Sequence, residues 1–310
     1  MTYNTLRIVL ECNGRKLAMG PGEPLDITAV TGLESSEFEI STSQNALVDG
    51  ETVDGKKIKA RPIHIEARFR SNADNAKNRA EIIKFFNPKY TGKALIVLMG
   101  VSRNIEYELE GWTFKKQVNM DENLKILVDL KCPDPYMLNV DNFGQNMARV
   151  TPLFAFPWRV SGHNQVAAYD AVDAGNSHYL RGCALQGHVA SYKVFKSDVL
   201  LLNDGDVPTG VQIRFKAARG PVTNPKITNT MTGEYMRVKV AMEQGDELII
   251  DTDEHHQIIE LNGVNTYQKI DRHSVPFQLV VGDNYLVYDA DSNYTNMDVY
   301  LYYRPKYLGV

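Results

Sequence analysis

Ile258-Ile259-Glu260-Leu261-Asn262-Gly263 decides how this chain is read. An apolar run ending on Asn-Gly is the strongest short-range hairpin signal, because both residues tolerate the positive φ that a two-residue turn demands. On its N-terminal side, Gln244-Gly245-Asp246 turns into the apolar strand Leu248-Ile249-Ile250-Asp251. Further back lie the turns Thr232-Gly233 and Asn224-Pro225. On its C-terminal side, Ser274-Val275-Pro276-Phe277 leads to Leu279 and Val281, then to a turn at Gly282-Asp283-Asn284. The chain closes on Tyr300-Leu301-Tyr302-Tyr303-Arg304-Pro305. Turns recurring this regularly between short apolar runs predict an all-β sandwich that serves as a scaffold or a recognition surface.

The N-terminal part reads as a β domain with one helix. Leu6, Ile8 and Leu10 alternate with polar neighbours, and Asn13-Gly14 turns the chain into Arg15–Met19. In the stretch from Arg61 to Arg70, Ile63, Ile65, Ala67 and Phe69 share one face, while His64, Glu66, Arg68 and Arg70 share the other. Leu124, Ile126, Val128 and Leu130 mark a second strand. Between them Ser71-Asn72-Ala73-Asp74 matches a capping pattern, and Ala73, Ala76, Ala80, Ile83 and Phe86 fall at helical spacing before Asn87-Pro88 stops the helix. That stripe of small residues predicts a helix lying close on a sheet. Residues 42–60 are polar and carry two turn signals, Asp49-Gly50 and Asp54-Gly55, which predict a projecting loop or β-hairpin.

Cys132-Pro133-Asp134-Pro135 is the natural boundary, since two prolines break any strand and stiffen the path. It divides the chain into domains 1–138 and 139–310. The aromatic, proline-punctuated strip Pro152–Trp158 and residues 162–188 show no clear periodicity; strand patterning resumes at Tyr192–Phe195 and at Val211, Ile213 and Phe215.

At 310 residues the chain is long enough for two cores. Residues 1–138 carry 19 basic and 19 acidic side chains, and 139–310 carry 15 and 19, which gives no basic footprint for gripping nucleic acid. Three cysteines, Cys12, Cys132 and Cys183, lie far apart with no metal-ligand spacing, so free thiols in a reducing cytoplasm are expected. Met1-Thr2-Tyr3-Asn4 opens no signal-peptide pattern, and no apolar run approaches the roughly 18–20 residues of a membrane span.

Candidate chemistry is sparse. No G-x-S-x-G, P-loop, G-x-G-x-x-G or H-E-x-x-H occurs. Asp251-Thr252-Asp253-Glu254-His255-His256 offers metal-ligand types, but it sits between two strands, where a polar tip needs such residues anyway. Asp289-Ala290-Asp291-Ser292-Asn293 imitates a calcium loop but has Tyr294 where the glycine is required. Glu106, Glu108 and Glu110 alternate like the wet face of a strand. No catalytic, cofactor or metal residue is therefore assigned. Trp112, Trp158, Tyr300, Tyr302 and Tyr303 are the aromatics available to a sugar platform, with Trp158, Tyr300 and Tyr302 the candidates retained. Core or subunit contact is the competing role.

Asn203-Asp204-Gly205-Asp206-Val207-Pro208-Thr209-Gly210 followed by a strand, then Asn224-Pro225-Lys226-Ile227-Thr228-Asn229, resembles the second domain of the distal tail proteins of long-tailed, non-contractile bacteriophages. The resemblance continues through Thr232-Gly233-Glu234, Gly245-Asp246-Glu247-Leu248, Leu261-Asn262-Gly263, Gly282-Asp283-Asn284 and Tyr303-Arg304-Pro305-Lys306-Tyr307. It includes Asp49-Gly50, the strand from Arg61, the helix ending Asn87-Pro88, and Lys131-Cys132-Pro133-Asp134-Pro135-Tyr136. Residues 139–200 match poorly.

The resemblance implies an N-terminal split β-barrel with one flanking helix that closes into a hexameric ring, and a galectin-like β-sandwich projecting outward. The ring would stack on the major tail tube protein above and hold tail-associated hub or receptor-binding proteins below. DNA would pass through the lumen without specific binding, in a virion tail tip assembled in the host cytoplasm, of phage or prophage origin. No enzyme activity and no cofactor are implied. A closed heterologous ring needs two different patches on each subunit, and the hairpin bearing Asp49, Gly50, Asp54 and Gly55 is one way to supply them. Acidic residues of the ring domain would face the lumen and repel DNA. The alternative function is a carbohydrate-binding adhesion module acting through the C-terminal sandwich.

Overall fold

The computed structural model describes residues 6–44, 49–115, 122–140 and 197–310, together with five short strands between residues 143 and 194. Strands β1 (Arg7–Cys12) and β2 (Arg15–Met19) pair antiparallel with Cys12 opposite Arg15. Asn13 and Gly14 form the turn between them at φ 48° and 72°, as the dipeptide predicts. Next come β3 (Leu25–Thr31), a detached pair β4 (Phe38–Ser43) and β5 (Thr52–Ile58), and β6 (Arg61–Phe69). Helix α1 (Asn75–Phe85) precedes β7 (Gly92–Leu98), β8 (Val101–Phe114), β9 (Lys125–Cys132) and β10 (Met137–Asn139).

Seven of these strands close on themselves in the order β8-β7-β1-β2-β3-β6-β9, with β9 returning to β8. The 14-residue β8 makes closure possible by pairing with β7 along its first half and β9 along its second. The joint between β2 and β3 is parallel and rests on one register pair, Met19 with Leu25, so the barrel is split there. Ile63, Ile65, Ala67 and Phe69 point inward as their alternation predicts, against Ile126, Val128, Leu130 and Cys132 of β9.

The helix turns a different face to the barrel than its alanine stripe suggests. Ile82 and Phe85 are buried, with Phe86 just beyond the end, whereas Ala73, Ala76 and Ala80 are exposed and Ile83 is 50% exposed. Burial free energy follows apolar area, so one isoleucine and two phenylalanines outweigh three methyl groups. Phe86 stacks on Trp112 with centroids 5.6 Å apart, and Phe114 meets Trp112 edge-on at 5.3 Å. The capping pattern is also only half realised. Ser71 Oγ accepts from the Ala73 N–H, and Asp74 makes no side-chain cap.

Gly92 sits opposite Tyr107 on β8, and a Cβ there would lie 2.2 Å from Tyr107 Cζ. The Tyr107 ring is 2% exposed, and burial pushes its phenol well above the ordinary value. Gly92→Ala is therefore expected to cost about 1–3 kcal/mol through overpacking. Urea unfolding would read this as a lower midpoint with an unchanged slope. An unchanged midpoint would show that the ring moves aside freely.

The short strands β11 (Phe143–Asn146), β12 (Arg149–Pro152), β13 (Phe154–Ala155), β14 (Arg159–Val160) and β15 (Ser191–Val194) lead into the second body. It is built from β16 (Asp198–Asn203), β17 (Val211–Ala217), β18 (Val222–Asn229), β19 (Tyr235–Arg237), β20 (Ala241–Met242), β21 (Glu247–Asp251), β22 (Ile258–Leu261), β23 (Val264–Asn265), β24 (Gly282–Ser292) and β25 (Met297–Tyr303). One sheet runs β11-β25-β17-β21-β22-β23. The other runs β16-β24-β18-β19, with β20 beside β18. Ile213, Phe215, Ile250 and Leu301 of the first share a buried core with Leu201, Ile227, Leu286 and Tyr288 of the second, which makes a β-sandwich.

Asn262-Gly263 forms the hairpin turn between β22 and β23 at φ 52° and 77°. Two other turn signals fall inside strands. Asn224 takes φ 51° within β18 and interrupts its pairing with β24 between Thr223 and Pro225. Gly282-Asp283-Asn284 opens the 11-residue β24, where buried Asn284 donates to the Val280 and Gly282 carbonyls. The last strand, β26 (Lys306–Tyr307), leaves the sandwich and pairs with β10 on the barrel sheet. No helix among the described residues is long and apolar enough to cross a membrane.

Candidate assembly interface

The β4–β5 ribbon forms a sheet of its own, paired from Phe38 with Ile58 to Ser43 with Thr52. It therefore starts ahead of residue 42, where the polar composition begins, because Phe38-Glu39-Ile40-Ser41 alternates like a half-buried strand. Pairing and alternation put Phe38, Ile40, Thr42, Val53, Lys56 and Ile58 on one side of the ribbon. Phe38, Ile40 and Val53 are 62%, 58% and 52% exposed. Asp49-Gly50 lies at the tip, with Gly50 at φ 100°. Asp54-Gly55 is no turn. Asp54 is the extra residue of a bulge between Val53 and Gly55, and Ser43 Oγ donates to its carboxylate at 3.0 Å.

A second device ties the end of the chain to the barrel. Arg61 is fully buried, and its guanidinium donates to four carbonyls: Pro135 (2.9 Å), Gly32 (2.9 Å), Leu33 (3.2 Å) and Leu308. Desolvation holds its pKa below the ordinary arginine value. Around this clamp the tail is held from both sides. Arg103 lies 3.4 Å over the Tyr307 ring, Val310 packs on the barrel core, and the Lys306 carbonyl accepts from the Asp206 N–H.

Cys132 pairs with Arg61 across β9 and β6, and burial pushes its thiol up to about 12 despite the pull of that cation. At pH 8 it should stay a thiol and resist iodoacetamide in the native protein while alkylating rapidly in urea, as peptide mass spectrometry would show. Rapid native labelling would mean that the β6–β9 seam opens. Cys12 is likewise a buried free thiol; Cys183 lies outside the described residues.

The sequence-derived sugar candidates separate. Trp158 lies outside the described residues. Tyr300 and Tyr302 are half-buried on the outer face of β25, whereas Tyr303 points inward and donates to the Leu202 carbonyl at 2.9 Å. Trp112 is taken up by the Phe86–Phe114 cluster. The 251–256 turn is internally satisfied. Asp251 caps the Asp253 N–H, Asp253 caps the His255 N–H, and Asp253 pairs with Lys306 at 3.0 Å. No group of His, Cys, Asp or Glu among the described residues is placed to share a metal ion. Asp291 is engaged by Asn224 and Arg237, Glu106 by Lys93 at 3.0 Å, and Glu108 by Thr91 at 2.6 Å. Sequence reasoning missed Arg61, Lys306 and the returning tail, whose partners are all distant in the chain.

Residues 204–307 match the family described as siphovirus-type tail component, C-terminal domain. No curated protein sequence matches the chain. Among solved structures it is similar to the Dit protein of phage SPP1, described as a paradigm of the hub adsorption apparatus in phages infecting Gram-positive hosts. The identity is 14% and the TM-score 0.64, over 97% of this chain and 99% of that one. It is also similar to a chain of the phage P2 baseplate in its activated, calcium-bound conformation, with 10% identity and a TM-score of 0.50 over 99% of both. Residues 204–307 thus match the siphovirus-type tail component C-terminal domain, and nearly the whole chain shares its fold with the Dit protein.

Proposed function

We propose that this chain is the structural hub of a phage tail, a distal tail protein that closes into a hexameric ring. Residues 1–138 form the ring and 139–310 the outward sandwich. The observation that carries the reading is the free-standing β4–β5 ribbon. A lone two-stranded ribbon is marginal in water, and this one keeps three large apolar side chains in solvent on one side. A neighbouring copy that covers that side supplies both the missing sheet support and the second patch of a heterologous ring. The closed barrel beneath it is an apt ring element, because closure leaves few strand edges to pair out of order.

In this reading the tail tube protein lies above the ring and the hub or receptor-binding proteins below it, in the virion tail tip. DNA slides past a wall whose acidic side chains repel it; a ring map with its lumen lined mainly by Lys and Arg would overturn that part. The ring itself is tested by light scattering and negative-stain imaging of the full chain, alone and with its tail tube neighbour. Particles of six 34.9 kDa copies around a central hole are expected. A monomer under both conditions would refute the ring.

A further inference from the structure

We propose that the cleft between the barrel and the sandwich binds a neutral saccharide. The cleft has a volume of about 800 Å3, within the range of small-ligand sites. Its sandwich wall is a row across three neighbouring strands, Tyr302 of β25, Gln212 of β17 and Asp251 of β21, which are register partners and so stand side by side on one outer face. At the usual strand spacing this row spans about 10 Å. The barrel wall contributes Glu108, and the linker contributes Tyr136. Lys306 and Asp253, paired at 3.0 Å, also line the cleft, and the lysine side chain is 9% exposed.

These groups match saccharide chemistry. A pyranose presents apolar C–H faces to a flat ring and paired hydroxyls to planar carboxylates and amides. Tyr302 and Tyr136 supply rings, each with a cation over one face (Arg214 at 5.6 Å and Lys306 at 6.0 Å) and the other face left to a sugar. Gln212, Glu108 and Asp251 supply the planar polar groups. Glu108 uses one carboxylate oxygen within the protein, on the Thr91 hydroxyl. Asp251 accepts from the Asp253 N–H with one oxygen and has the other 3.8 Å from His256 Nδ1. Charge narrows the class further. Glu106, Glu108, Asp134, Asp251 and Asp253 face the cleft against Arg304 and Lys306, so anionic polymers are repelled. Two of the five carboxylates already pair with Lys93 and Lys306, which weakens the pull on a basic peptide.

The inference does not depend on ring formation. The test is calorimetry and saturation-transfer NMR on the full chain with cellotriose, maltotriose and chitotriose. At least one should bind in the millimolar range or tighter, with Tyr302→Ala weakening it about tenfold through loss of a stacked ring and Gln212→Ala acting in the same direction. Tyr300→Ala, one outward position along β25 and outside the cleft, should leave binding unchanged. Absence of binding by all three sugars would overturn the proposal, as would equal binding by Tyr302→Ala. Binding of trilysine in their place would also overturn it and make the cleft a docking site for a basic segment.

Discussion

A chain carrying Phe38→Asp, Ile40→Asp and Val53→Asp is expected to fold normally and to remain a monomer. The three side chains are more than half exposed, on a ribbon that shares no sheet with the barrel. Their replacement should therefore cost the isolated subunit no more than about 0.5 kcal/mol each. In a ring that covers the apolar side, each loses about 1–2 kcal/mol of burial and adds a carboxylate to be desolvated. The loss recurs at every interface of a closed ring, since each subunit donates one ribbon and receives another. Light scattering should show the monomer mass, while circular dichroism and the thermal midpoint stay at wild-type values. Ser41→Asp, on the other side of the ribbon, should leave assembly intact. Rings formed by the triple variant would show that the ribbon is not the tie between subunits.

What the sequence made legible was what local rules control. Asn13-Gly14 and Asn262-Gly263 specify their turns because backbone conformation there is set by the two residues themselves. Strand β6 is plain because one face of it meets core along its whole length. The failures share a cause. Asp54-Gly55 has turn chemistry, yet the opposing strand runs past it and converts it to a bulge. Alanines 73, 76 and 80 fit a helical face, yet which face is buried was decided by Ile82, Phe85 and the Trp112 cluster across the fold. Phe38 and Ile40 look like core residues because alternation reports a half-apolar strand and is silent on whether the covering surface belongs to the same chain. The cleft was half visible: Tyr302 could be named, but Glu108 on its far wall comes from the barrel and Tyr136 from the linker.

Arg61 shows the same limit from the inside, and replacing it should cause the largest loss of stability of any single change in the molecule. By pattern it is the polar start of a strand, yet it is fully buried and gathers the 32–33 loop, the proline linker and the C-terminal tail onto one guanidinium. Arg61→Met keeps the length and removes every donor, leaving four carbonyls to find new partners in a site closed to water. The cost should be about 3–5 kcal/mol, or a fall in thermal midpoint of roughly 6–20 °C. Arg61→Lys should recover only part of it, because an ammonium is a point donor and cannot reach carbonyls spread around a planar fork. The damage should also have an address. The amides of Tyr307, Leu308 and Val310 should lose hydrogen-exchange protection first, since the tail is held to the barrel through this group, while the Asn262-Gly263 hairpin keeps its protection. An Arg61→Met protein with a wild-type midpoint and a protected tail would mean that β26 and the Tyr307 contacts fasten the two bodies without the clamp.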